Sequence, residues 1–125
     1  MRSVLLLTAA VLAAPLPALA HHSIAAVYDR NKEVTVEGVV SKVELINPHA
    51  MLYVETPNEK GPGVTTWSLE SRGVAGLERM GFTKDSLAKG EKVKVTGYPA
   101  HGGGPSLWLQ TLTTASGKTF SFVRR

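Results

Sequence analysis

Histidine is the residue type in this chain best suited to chemistry, and its placement is uneven. Four histidines occur among 125 residues. His21 and His22 are adjacent, His49 follows Asn47-Pro48, and His101 precedes a run of glycines. If the chain is cut before His21, that residue offers an α-amine and a ring Nδ1 that can chelate one metal ion together. His22 adds a second imidazole and an ionisable backbone amide. Nitrogen-rich sets of this kind favour Cu(II) among the divalent first-row metals, with nickel and zinc behind it. The competing reading of the pair is a solvated chain end. His49 supplies a third imidazole on a corner where proline fixes the backbone and Asn47 can hydrogen-bond the turn. Its bland reading is a turn residue packed on the fold. His101 reads most simply as an exposed loop residue.

No catalytic constellation accompanies these histidines. Glu70 and Arg72 flank the end of a strand, and Asp29 and Glu33 precede another. No spacing forces two carboxylates together, as acid–base chemistry would require. Ser23 stands beside two histidines but lacks a Gly-x-Ser-x-Gly elbow. The expectation is a protein that is not an enzyme. Two function classes remain. One is a metal-handling protein, with Cu(II) held by His21, His22 and His49. The other is a metal-free interaction module, with a peptide, envelope protein or small ligand lying near Asn47, Tyr53, Trp67, Glu70 and Trp108. The aromatic members of that set read first as core or barrel-end packing.

The chain start bears on both classes. Met1-Arg2 is a short positive opening and Val4 to Ala14 an apolar run. That run is well short of the roughly 20 residues of a bilayer-spanning helix. Pro15 and Pro17 interrupt it, and Ala18-Leu19-Ala20 matches the small-x-small pattern of signal cleavage. We expect residues 1–20 to be a signal peptide cut after Ala20, residues 21–32 an extended arm, and residues 33–125 a single domain. The mature chain is then periplasmic or secreted, with no membrane anchor. Cysteine is absent, so stability must come from packing and strand pairing. The net charge is +4 with the basic residues dispersed, which argues against a nucleic-acid partner.

The elements that must position these residues are mostly strands. Glu33 to Ile46 reads as a long first strand whose apolar parity changes at Gly38, the mark of a bulge. Ala50 to Glu55 and Val64 to Glu70 follow as strands around a Gly/Pro loop. Val74, Leu77 and Met80 predict a short helix capped by Ser71 and ended by Gly81. Lys92 to Gly97, Ser106 to Thr114 and Thr119 to Val123 complete the strands. This order predicts an all-β fold with one short helix, a small OB-like, five- to six-stranded Greek-key barrel. Val36, Val43, Leu69, Val93, Val95 and Leu109 should be buried.

Taken in order, His21-His22-Ser23, Val36-x-Gly38, Asn47-Pro48-His49, Trp67-Ser68-Leu69-Glu70, Leu77-x-Arg79-x-Gly81-Phe82 and Leu87-x-x-Gly90-x-x-Val93-x-Val95-x-Gly97 resemble the family called domain of unknown function 6152. These are small exported bacterial proteins. Phe82 stands where that pattern has tryptophan. The resemblance spans nearly all of the mature chain. It implies export and a small β-barrel, and it implies no activity.

Overall fold

The computed structural model describes residues 23–123. The expected signal peptide and the His21–His22 pair lie outside the described residues. Alternating apolar and polar residues, many of them β-branched, give six strands: β1 (Val34–Glu44), β2 (Met51–Pro57), β3 (Val64–Glu70), β4 (Lys92–Pro99), β5 (Ser106–Thr114) and β6 (Thr119–Ser121). Two short helices, α1 (Ile24–Val27) and α2 (Val74–Arg79), complete the fold.

β1 pairs antiparallel with β2 on one side and β4 on the other. β2 pairs with β3, and β4 with β5, again antiparallel. Parallel pairing of Ser68–Glu70 with Ser106–Trp108 joins β3 to β5 and closes the sheet into a mixed five-stranded barrel. β6 adds a short outer strand to β5. The helix between β3 and β4 and the β1-β2-β3-β5-β4 circuit are the OB-like arrangement expected from the order of elements. Among the described residues, no helix is long and apolar enough to cross a membrane.

The barrel interior is aliphatic. Leu52, Val54, Leu69, Val95, Leu107, Leu109 and Leu112 are fully buried, and Phe82, Phe120 and Phe122 close one end. Of the six residues expected inside, five are buried; Val43 is only partly covered and packs on the core margin.

Three local expectations need correction. The irregularity in β1 lies between Val40 and Lys42, not at Gly38. Pairing with β4 runs unbroken through Gly38, so Val36 and Val40 both point inward and Val39 outward. Gly38 is there for close approach: a β-carbon would come within 2.4 Å of the Glu55 carbonyl oxygen. Ser71 does not cap α2. Its N–H is held by the Ala50 carbonyl in a strand-like pairing, which stops the chain short of the helix. Its hydroxyl is buried without a partner among the described residues. The cap position is Gly73, and Asn47 Oδ1 accepts the Val74 N–H at 3.1 Å from across the fold.

The third correction concerns the arm. Residues 23–32 do not trail from the barrel as an extended segment. α1 leads into Tyr28, which forms a bridge with Ala100 and is 4% exposed. Asp29 N–H donates to the Pro99 carbonyl and His101 N–H to the Val27 carbonyl. The His101 ring is held as well, its Nε2 lying 3.0 Å from the Ala25 carbonyl oxygen. His101 therefore fastens the arm to the β4–β5 loop, although it remains exposed.

Candidate functional site

The arm, the β1–β2 corner and the end of β3 converge on one carboxylate. Strand alternation turns Glu70 away from the barrel interior, because its neighbour Leu69 is the residue facing in. Register places Glu70 beside Met51 on β2 and Trp108 on β5. Its two oxygens are both engaged. Oε1 lies 2.5 Å from His49 Nδ1, and Oε2 accepts the Tyr28 hydroxyl at 2.5 Å. Ser106 Oγ stands 3.5 Å from the same hydroxyl.

Trp108 is the floor of this group. Its parity on β5 is outward, yet it is 7% exposed, because the docked arm covers it. The His49 ring meets it edge-on at 5.4 Å and the Tyr28 ring lies tilted against it at 6.0 Å. The histidine is thus gripped by an aromatic face and a carboxylate.

The corner itself is braced by α2 and the segment before it. Ala50 N–H donates to the Arg72 carbonyl, and Asn47 ties to Val74. The Asn47-Pro48 peptide bond is cis. Gly73 allows the corner to lie this close, since a β-carbon there would fall 2.6 Å from Asn47 Oδ1 and 2.8 Å from the Pro48 oxygen.

The hydrogen bonds fix the state of the imidazole. An ionised carboxylate only accepts, so Nδ1 of His49 carries a proton, and in the neutral ring Nε2 presents its lone pair. The His49 side chain is 42% exposed. Carboxylate support of this kind orients a metal-binding histidine and raises its basicity. Alone it does not complete a site: among the described residues, no group of three His, Cys, Asp or Glu side chains is placed to hold a metal ion.

Tyr28 responds strongly to the same setting. Burial, and then the hydrogen bond to the Glu70 carboxylate, push its phenol from the ordinary 10.0 up to about 12. The folded state therefore favours the protonated phenol more than the unfolded chain does. The associated stability is fully present below pH 10.0 and is lost as pH rises through about 12. An ultraviolet titration should show one late-ionising tyrosine, absent in Tyr28→Phe, whose stability should fall less steeply above pH 10.0. A late phenol that persists in Tyr28→Phe would contradict this assignment.

Of the residues singled out in the sequence, His49, Glu70 and Trp108 come together. Asn47 stands beside them in a bracing role. Tyr53 and Trp67 do not join them. Tyr53 faces outward on β2, donating to Glu44 at 3.3 Å with Lys42 over its ring. Trp67 pairs with Val54 and packs against the core. Those two aromatics lie on opposite faces of the β2–β3 ribbon. His21 and His22 lie outside the described residues. Sequence reasoning missed Tyr28; its one signal was that it is the lone large aromatic in an otherwise small and polar arm.

No curated protein and no solved structure matches the chain. A family does: the Family of unknown function (DUF6152) matches residues 9–106. Those residues carry the arm, the corner, β3 and the first residue of β5, that is, all of the site except Trp108. The chain belongs to that family.

Proposed function

We propose that this is an exported protein that binds a single Cu(II) ion, with His49 Nε2 as the barrel's ligand and the His21 amine and imidazole, aided by His22, as the remainder. The observation that carries the reading is the His49–Glu70 pair, which braces a half-exposed imidazole through its Nδ1. Chain geometry favours convergence. Ile24 and Trp108 line one cleft, so the start of α1 lies close to the tryptophan that His49 touches. Two extended residues span about 7 Å, enough for His21 to reach beyond Ser23. Residues 23–28 are already docked on the barrel, so the chain start needs no rearrangement of this segment to approach it.

A nitrogen-dominated set suits Cu(II), and the absence of any thiolate sets it apart from sites that favour softer ions. With no catalytic partner beside it, the role we assign is metal handling. Protons compete for every one of these nitrogens, so binding weakens as pH falls.

Pulsed electron paramagnetic resonance of copper-loaded mature protein tests the barrel's contribution. A histidine bound through Nε2 leaves Nδ1 as a remote nitrogen that modulates the echo. The modulation should lose one imidazole contribution in His49→Ala. Identical spectra from both proteins would refute His49 as a ligand.

A further inference from the structure

A cleft of about 390 Å³ opens between the arm and the barrel. Its polar lining residues are Arg30, Arg72, Tyr98 and Gln110; its apolar lining is Ile24, Trp108 and Val123. No Asp or Glu lines it. Among the described residues, neither arginine takes part in an ion pair. The two come from distant parts of the chain, Arg30 following the docked Tyr28 and Arg72 following β3. Gln110 is 6% exposed, and its one side-chain hydrogen bond among the described residues runs from Nε2 to its neighbour's carbonyl at 3.3 Å. Its amide thus faces the cleft with bonding capacity to spare.

Two guanidiniums without a carboxylate in a confined concavity are an anion's complement, because each offers a planar fork of donors. The remaining walls decide which anion. The tryptophan face, Ile24 and Val123 leave an apolar surface beside the charges, which inorganic phosphate alone would not cover. The volume lies within the range typical of small-molecule pockets, about 300–1,000 Å³. We propose that this cleft binds a small organic carboxylate, its carboxyl group bridging Arg30 and Arg72 and its apolar body lying against Trp108. Anion binding here shares the Trp108 wall with the copper site but does not depend on the copper reading.

Tryptophan fluorescence of metal-free mature protein can follow the binding, since Trp108 lines the cleft and the chain's other tryptophan, Trp67, packs against the core. Benzoate is the probe, with benzamide as its neutral counterpart and inorganic phosphate as the anion without an apolar body. Benzoate should bind saturably, and more tightly than phosphate or benzamide. Arg30→Gln and Arg72→Gln should each weaken it about 10-fold or more, as expected for loss of a charge-assisted hydrogen bond. Arg79→Gln, which alters a neighbouring positive charge that does not line this cleft, should leave it unchanged. Arg30 is exposed, so that variant carries little risk of unfolding. Absence of benzoate binding would overturn the proposal. So would equal binding of benzamide, which would mean an apolar pocket alone, or an equal loss in Arg79→Gln, which would mean a diffuse positive field.

Discussion

Phe82→Ala should lower the free energy of unfolding by about 3–5 kcal/mol, a large share of the roughly 5–15 kcal/mol that a domain commands. Phe82 is 0% exposed and meets Phe120 and Phe122 edge-on at 5.1 and 5.5 Å. Its removal leaves a cavity and strips two aromatic contacts at once, each worth about 0.5–1.5 kcal/mol beyond area burial. Neighbours cannot refill the space readily, because Phe82 follows Gly81 in a tight positive-φ turn that fixes where the ring enters. Urea denaturation checks this through a lower midpoint with the slope preserved. A loss under about 1 kcal/mol, the scale of an ordinary surface change, would show that this end of the barrel is not packed as described.

Glu70→Gln carries the second large effect. The carboxylate accepts from both Tyr28 and His49. A carboxamide has one accepting oxygen and cannot serve both donors in the same way. Losing one charge-assisted hydrogen bond costs about 1.5–3 kcal/mol in a site this sheltered. The functional loss should be larger in kind. Without its support the His49 ring is free to turn, so copper affinity should drop about 10- to 100-fold. Tyr28→Phe separates the two consequences: it removes the phenol's bond and its stability, yet leaves the His49–Glu70 pair. Unfolding curves and copper titrations of both variants make the comparison. Equal copper affinity in Glu70→Gln and the unmodified protein would mean that the carboxylate does not support a ligand.

The barrel was legible in the sequence because its signals are local. Alternation of Val93 and Val95 with lysines, the turn residues and the short periodic stretch at Val74 each depend on neighbours in the chain. β3, β5 and the start of α2 fall where those patterns put them. What the sequence hid depends on partners far away. The break in β1 was read at Gly38 because glycine marks bulges, whereas this glycine answers to the Glu55 carbonyl on another strand. The helix cap was sought three residues before Val74, at Ser71, but the oxygen that does the work belongs to Asn47. Trp108 and Gln110 have outward parity on β5, yet both are buried. The docked arm is what covers Trp108, and no period in the arm announces that docking. The site followed the same division. His49 and Glu70 were each visible as residue types worth watching, but their pairing across 21 positions was not, and neither was the role of Tyr28.

One copper site is proposed to join the processed chain end to the barrel corner. The measurement that tests it most directly is a copper affinity titration of three proteins: the chain beginning at His21, the same chain with one extra residue before His21, and His49→Ala. The extra residue moves the α-amine off the chelate without touching the barrel, and His49→Ala removes the barrel's ligand without touching the chain end. One Cu(II) per chain is expected in the first protein, with clearly weaker binding in each of the other two. Equal affinity in all three, or binding in the first no tighter than that of an isolated surface histidine, would contradict it.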